Sequence, residues 1–216
     1  MRIMKTAKQI RIRRSISLAL GSCLLLAVCF LAADIGQIPL LAQASNQAAP
    51  TGWSMAGSKP ADSRTGVDKA AMHDGLPSAF LQSAVPVADG FGTLMQTIDA
   101  SHYTAQRIRL RASLKSQDLN DWAGLWMRVD KGQKTVGFDN MQNRAIKGTQ
   151  PWTSYDVVLD VPADATSISF GVLLSGTGEV WLNHVTFEPV GKDTETTAFP
   201  NYPMSRNPVN LNFSDE

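Results

Sequence analysis

The sequence predicts an all-β domain, an antiparallel β-sandwich or barrel, over residues 52–190 of the 216-residue chain. Runs with apolar residues at every second position recur through this range, and such runs are typical of strands that bury one face. Gly, Pro, Asn and Asp residues separate the runs at short intervals, as they do where tight turns connect antiparallel strands. No segment of the range has the apolar spacing of a three-turn amphipathic helix.

Nine strands are predicted from this pattern. The clearest covers 106–116, where Ile108 and Leu110 alternate with arginines. Lys131 and Gly132 predict a hairpin turn between two alternating runs, and "DNM" at 139–141 is also typical of a turn. In chain order the predicted strands are 52–57, 77–84, 91–99, 106–116, 124–130, 135–141, 154–162, 167–176 and 179–190.

Alternation also predicts which side chains face the core. In "AGLWMRVD" at 123–130, the apolar side chains at 125, 127 and 129 share one side, so the side chains at 126, 128 and 130 share the other. Four tryptophans are assigned to the core or to the ends of the sandwich, namely Trp53, Trp122, Trp152 and Trp181. The predicted core contains Ile108, Leu110, Leu125, Met127, Val157, Leu159, Phe170 and Val172.

Residues 1–44 have the order of a secretory signal: a basic start, an apolar run at 16–33 and "AQA" at 42–44. The apolar run is long enough that an uncleaved membrane anchor is the alternative, and lipidation at Cys23 is another. In each case the rest of the chain is expected to be extracytoplasmic, either periplasmic or secreted. Residues 45–51 are predicted to be a linker, and 191–216 an irregular C-terminal tail that contacts the domain through Val209, Leu211 and Phe213.

The composition of the predicted exported part excludes several function classes. Removing 1–44 takes away six of the 20 Lys and Arg and one of the 19 Asp and Glu, which leaves 14 basic and 18 acidic residues and a net charge of −4. This charge does not favour nucleic acid as a partner. Both cysteines, Cys23 and Cys29, lie in the removed part, so the remainder has no disulfide and no thiolate metal site. Membrane contact is expected only through 16–33, if that run is not cleaved.

Several stretches of the predicted domain share the arrangement of a known family. They are "WTSYDVVLDVP" at 152–162, "ISFGVLLSGTGEVW" at 168–181, "VTFE" at 185–188 and "RIRLRASLK" at 107–115. Together they resemble the galactose-binding-like jelly roll, a fold used by many carbohydrate-binding modules of secreted bacterial proteins. The resemblance covers roughly 52–190 and implies a jelly-roll sandwich and a carbohydrate ligand.

The resemblance also has a point of departure. Modules of this type often carry an acidic residue just before the last apolar pair of the final strand, and here Asn183 and His184 stand in that place. A calcium site at this position is therefore not expected. Similar blocks occur in bacterial proteins labelled transcriptional regulators, fused to a DNA-binding module, and no such module is recognisable in this sequence.

The outward-facing residues of the strands are the candidate binding site. An indole covers the apolar face of a sugar ring, while Arg, Asp, Asn and Gln side chains bind its hydroxyls. A curved sheet with one tryptophan and several planar polar groups is thus suited to bind carbohydrate without catalysis. The predicted ligand-binding residues are Trp126, Arg128, Asp139, Asn140, Gln96 and Arg109.

Two alternatives remain open from the sequence. In the first, the domain is a structural or sensory module that contacts another extracytoplasmic protein, Trp126 packs under the tail and Arg128 pairs with Asp130 or Asp139. In the second, the domain is a glycan-active hydrolase. Hydrolase motifs are absent, and His73, His102 and His184 lack metal-ligand spacing. No catalytic residue, no metal and no cofactor are therefore predicted.

Overall fold

A computed structural model describes residues 48–198, and this part of the chain is almost entirely antiparallel β-structure. Its only helices are the short 3-10 turns Pro60–Asp62 and Gln142–Arg144. None of the helices in residues 48–198 is long and apolar enough to cross a bilayer. The strands are β1 (Ser54–Gly57), β2 (Ser63–His73), β3 (Leu76–Ser83), β4 (Phe91–Asp99), β5 (Gln106–Lys131), β6 (Lys134–Asp139), β7 (Ile146–Val161), β8 (Ser167–Ser175) and β9 (Glu179–Val190). The all-β antiparallel prediction is confirmed.

The nine strands form one continuous sheet that curls on itself. Its order is β1-β4-β8-β5-β9-β3-β2, and β6 and β7 also pair with β5. The first half of β5 pairs with β7 and β9, whereas the second half pairs with β8 and β6. Leu94 of β4 and Leu81 of β3 are separated by three strands in this order, yet both belong to one buried cluster. The sheet therefore folds around a single core.

The predicted core is confirmed at every position. Ile108, Leu110, Met127, Val157 and Val172 are fully buried, and the remaining three are at most 6% exposed. Aromatic rings close one end of this core, where Phe170 of β8 stacks on Phe187 of β9 with ring centroids 4.9 Å apart. The hairpin turn predicted at Lys131 and Gly132 is also present, because Lys131 pairs with Lys134 across it.

Strand β5 joins what the sequence predicted as two strands. Even-numbered residues up to Ser116 face the core, but from Leu119 onward odd-numbered residues do. This change of side coincides with irregular pairing between Leu114 and Ala123 and with a positive φ of 53° at Asp118. The irregularity changes the side that faces the core without a reversal of direction, so the chain continues from one part of the sheet into the other.

Strand β2 was not predicted from the sequence. It is the last strand in the sheet order, and among the strands of residues 48–198 it pairs with β3 alone; much of it is partly or fully exposed. An edge strand with one paired side needs no strict alternation of apolar residues. Its pairing is also interrupted between Asp68 and Met72, which weakens the pattern further.

The described part of the C-terminal tail, residues 191–198, runs beside β7. Thr197 exchanges hydrogen bonds with the backbone of Val158, and Arg107 donates to the carbonyl of Thr194. The predicted tail contacts at Val209, Leu211 and Phe213 lie outside the described residues. The predicted signal or anchor at 1–44 lies outside them as well.

Candidate functional site

A cleft of about 570 Å³ opens on the outer face of the sheet where β4, β8 and the second half of β5 lie side by side. Alternate residues of paired strands share a face, and the register places Trp122, Ser175 and Phe91 in one row across this face. The next rows contain Leu173 with Thr93 and then Trp126 with Met95. We call this site the aromatic cleft. Its further wall residues are Phe138, Asn140, Arg128, Ala56 and Gly57.

Trp126 forms the floor of the aromatic cleft. Its direct neighbour on β8 is Gly171, which has no side chain, so the indole can extend across β8 towards β4. There its Nε1 donates to Thr93 Oγ1 at 2.8 Å, and Thr93 Oγ1 donates to the carbonyl of Val172 at 2.8 Å. Trp126 is only 7% exposed. It is a hydrogen-bonded floor residue with a small accessible surface.

Asn140 stands on the wall of the cleft because a glycine allows its turn to come close. A Cβ added at Gly124 would meet the Asn140 carbonyl oxygen at 2.6 Å. The turn is closed by hydrogen bonds from the Met141 amide to Asp139 Oδ1 and from the Gln142 amide to Asn140 Oδ1. The Nδ2 group of Asn140 has no acceptor within residues 48–198, so it can donate to a ligand.

Asp139 supports this turn from below. It pairs with Met127 on the core side of β6 and is fully buried. Both of its carboxylate oxygens accept hydrogen bonds from Arg144, at 3.1 and 2.6 Å, and Arg144 also donates to the carbonyl of Asp156. Asp139 therefore positions Asn140 and does not line the cleft.

Arg128 lies at the end of the cleft, opposite Phe138. Its Nε donates to Asp130 Oδ2 at 2.8 Å, and Thr135 donates to the other oxygen of the same carboxylate. Asp130 is one of the two partners, Asp130 and Asp139, that the structural alternative predicted for Arg128. Within residues 48–198 the terminal nitrogens of Arg128 have no acceptor, so they can donate to a ligand.

The remaining predicted residues lie away from the cleft. Gln96 stands opposite Phe170 on β8, in a row whose side chains face the core side. Arg109 is on the first half of β5 and donates two hydrogen bonds to Glu188, at 3.1 and 2.6 Å. The structure thus brings Trp126, Arg128 and Asn140 together, and it separates Gln96 and Arg109 from them.

Several aromatic residues that line the cleft were not predicted as binding residues. Trp122 was predicted as a core or end residue, and the exposed rings Phe91 and Phe138 were not among the predicted ligand-binding residues. The sequence could have placed Trp122 in the site, because its position differs from those of Trp126 and Arg128 by an even number of residues, so all three share one face of the strand. Phe138 could be recognised only from the register, which places it directly opposite Arg128.

The lining residues define what the cleft can do chemically. Aromatic and aliphatic side chains dominate it, and the polar groups are the guanidinium of Arg128, the amide of Asn140 and the hydroxyls of Thr93 and Ser175. No Asp, Glu or His is among the described residues that line it. Such a cleft can stack on apolar faces and donate hydrogen bonds, but it presents no pair of groups for general acid and base catalysis.

Comparison with known proteins gives one relative in sequence and several in fold. No family model matches the chain. It is 42% identical over 169 residues to a Bacillus subtilis (strain 168) protein called an uncharacterized HTH-type transcriptional regulator, YbfP. The match includes 76% of this chain but only 57% of that protein's length.

Solved structures show weaker similarity. The xylan-binding domain CBM22-1 of Paenibacillus barcinonensis Xyn10C has a TM-score of 0.48 and 13% identity, over 67% of this chain and 90% of that one. A Stig cyclase, Fisc, from Fischerella sp. TAU has a TM-score of 0.48 and 16% identity, over 67% and 88%. At this level neither structure assigns a ligand or an activity to the present chain, and the galactose-binding-like jelly roll stays a prediction.

Proposed function

We propose that the protein is a non-catalytic carbohydrate-binding module whose ligand lies in the aromatic cleft. The observation that carries the proposal is the placement of Trp122, Phe91 and Phe138 around Trp126 in one open cleft. Phe91 and Phe138 are 42% and 38% exposed. Large exposed rings cost solvation free energy, and their grouping in a concave site is typical of a ligand surface.

The polar groups suit a sugar as the ligand. A pyranose ring presents C–H groups on its faces and hydroxyls around its rim, so aromatic rings contact the faces while donors bind the rim. Arg128 is held in place by Asp130, and Asn140 by its turn, so both donors are positioned before the ligand arrives. Preorganised donors lose less entropy on binding.

Binding is favoured over hydrolysis by the composition of the cleft. Glycosidases generally need two carboxyl groups, roughly 5–10 Å apart, on either side of the scissile bond. No carboxyl group lines the aromatic cleft in the part of the chain that the structure describes. The hydrolase alternative would therefore need acidic groups that this site does not contain.

Two finer parts of the proposal rest on the sequence. The resemblance to galactose-binding-like domains supports a jelly-roll sandwich for the curled sheet, and the basic start, apolar run and "AQA" of residues 1–44 support export of the domain or its anchoring outside the cytoplasm. Export is tested by fractionating cells and sequencing the N-terminus of the protein. A mature chain beginning at Ser45 supports cleavage, an intact Met1 in the membrane fraction supports an anchor, and a cytoplasmic chain overturns the proposal of export.

The relative named as a regulator favours a second candidate, in which the cleft is the ligand-sensing part of a regulatory system. The two candidates differ in the ligand that they require. A sensor of a soluble effector binds a mono- or disaccharide as tightly as a polymer, whereas a module for polysaccharides gains affinity with each added sugar that contacts the cleft. Affinities for an oligosaccharide series of increasing length therefore distinguish the candidates.

A glycan array tests the proposal most broadly. We expect the purified protein to bind a restricted set of glycans and Trp122→Ala to lose that binding. Trp152→Ala is the matched control, because Trp152 is also half-buried but stacks on His73 outside the cleft. No bound glycan, or equal loss of binding in both variants, would overturn the assignment of the cleft.

A further inference from the structure

A second site lies where the tip of the β2–β3 hairpin meets β9. His73 ends β2, Asp74 follows in the turn, and His184 belongs to β9. One donor atom from each side chain lies within 4.8 Å of the others, and His184 Nδ1 is 3.5 Å from Asp74 Oδ2. This cluster was not predicted from the sequence, because the two histidines are far apart along the chain.

A buried asparagine holds the two segments together. Asn183, only 7% exposed, donates through Nδ2 to Ser78 Oγ at 2.8 Å and to the carbonyls of Leu76 and Pro77 at 3.2 Å each. Its Oδ1 accepts a hydrogen bond from the amide of His184 at 2.7 Å. These bonds join β9 to the first residues of β3, so His184 is fixed beside the hairpin turn.

The backbone itself turns His184 towards the hairpin. Between Asn183 and Thr186 strand β9 has one residue more than the facing segment of β5, from Ser113 to Arg111. His184 in this bulge has a φ of 47°. A left-handed conformation is unfavourable for a residue with a side chain, and bulges often redirect a side chain at a functional position.

A tryptophan orients the other histidine. The rings of His73 and Trp152 are stacked, with centroids 4.6 Å apart and an angle of 20° between their planes. The His184 ring lies 4.9 Å from the His73 ring. The carboxylate of Asp74 is largely exposed, so the cluster is open to solvent and accessible to an ion.

We propose that His73, Asp74 and His184 bind a transition-metal ion, with Zn²⁺ the best match. Two imidazoles and one carboxylate are a ligand set that Zn²⁺ accepts, whereas Ca²⁺ requires six or more oxygen ligands. Donors about 2.1 Å from one tetrahedral Zn²⁺ lie roughly 3.4 Å apart. The His184–Asp74 separation already fits this geometry, and rotation of the exposed Asp74 side chain can bring the set to one ion. Water would complete the coordination.

The bound ion would fasten the hairpin tip of β2 and β3 to β9. Both segments lie outside the aromatic cleft, so this proposal is independent of the proposed carbohydrate binding. Its consequence is a Zn²⁺-dependent gain in stability, since an ion that binds only the folded chain stabilises it.

Titration calorimetry with ZnCl₂ on the untagged protein tests the site. We expect one ion per chain and at least a tenfold loss of affinity in His73→Ala and in His184→Asn, because Asn tolerates the left-handed backbone at 184 but offers no imidazole. His102→Ala is the control, since His102 is the remaining histidine and is not in the cluster. Melting curves of each variant without metal show whether it is folded.

The outcomes separate the two sites. A Zn²⁺-induced rise in melting temperature that His102→Ala retains and His184→Asn loses supports the proposal. Absence of Zn²⁺ binding in the wild type overturns it, and so does binding by His73→Ala and His184→Asn that is as tight as in the wild type. Trp122→Ala should bind Zn²⁺ as the wild type does, and His184→Asn should bind glycan as the wild type does.

Discussion

The two halves of β5 present opposite kinds of surface on the same outer side of the sheet. In the first half, Arg107, Arg109 and Arg111 each form an ion pair with the acidic residue directly opposite on a neighbouring strand. In the second half, Trp122, Gly124 and Trp126 share the outer face, and Arg128 and Asp130, which pair with each other, stand at the end of this row. One strand therefore carries both this row of three paired arginines, which we call the arginine ladder, and one side of the aromatic cleft.

The polar residues of the two halves differ in how well they can bind a ligand. The arginine ladder is already paired with partners of opposite charge, so it has little to gain from a sugar. The cleft half presents aromatic rings, which form no ion pairs, and Gly124 leaves space for the Asn140 turn. Residue type alone made Arg109 and Arg128 equal candidates. Both are ion-paired, but only Arg128 lines the cleft, and it donates to Asp130 through Nε, which leaves its terminal nitrogens for a ligand.

Trp126→Ala should have the largest effect on stability. The indole is buried and donates to Thr93, so its removal should lower the free energy of unfolding by about 3–5 kcal/mol. Urea denaturation measures this change, with Phe138→Ala as the comparison, because that exposed ring contributes less to the fold. A stable, fully folded Trp126→Ala variant would show that the floor of the cleft is not built as described.

Gly171→Ala should have the second largest effect on stability. A Cβ at this position would meet the carbonyl oxygen of Leu94 at 2.1 Å, and backbone cannot give way as a side chain can. We expect a loss of about 1–3 kcal/mol in the free energy of unfolding. Gly137→Ala is the control, since a Cβ there would have ordinary contacts at 3.6 Å and beyond. Equal stability of the two variants would contradict the close approach of β4 to β8.

Arg109→Ala, in the arginine ladder, should have a small effect on the free energy of unfolding. The Arg109–Glu188 pair is partly exposed, and such pairs contribute about 0–1 kcal/mol. Glycan binding should be unchanged, because Arg109 lies away from the cleft. A glycan affinity that falls in Arg109→Ala would return this residue to the binding site and weaken the division of β5 into two surfaces.

The smallest expected effect is the acid response of the ladder. Hydrogen bonding from Arg107 lowers the pKa of Asp160 to about 2, against partial desolvation, and Lys192 contributes further. Because the folded-state pKa is depressed, this stabilisation is present above about pH 4 and is lost as the pH falls towards 2. Unfolding free energies over this window should fall less steeply in Asp160→Asn than in the wild type. An identical slope in both proteins would show that the pair contributes nothing.

The core and most strands could be predicted from the sequence because alternation encodes a buried face directly. Ile108 to Leu114 and Leu125 to Val129 were assigned correctly on both halves of β5. The continuity of β5 was not predicted, because the polar segment around Asp118 resembles a turn, and a bulge and a turn use similar residues. The edge strand β2 was missed for lack of a periodic pattern.

The candidate site was predicted only in part, because alternation within a strand shows less than the pairing between strands. Alternation shows which residues of one strand share a face, so Trp126 and Arg128 could be grouped from the sequence. Pairing register decides which neighbours complete the site, and register depends on long-range contacts that a single sequence does not display. Phe91 and Phe138 join the cleft only through register, and the contact of His73 with His184 depends on the fold of the hairpin.

In the proposed function, the second half of β5, and not the first, binds carbohydrate. The most direct test is the dissociation constant of an array-selected oligosaccharide, measured by titration calorimetry for wild type, Trp122→Ala and Arg111→Ala. Loss of a stacking ring should weaken binding about tenfold or more in Trp122→Ala, while Arg111→Ala should match the wild type. Unchanged affinity in Trp122→Ala, or a comparable loss in Arg111→Ala, would contradict the account.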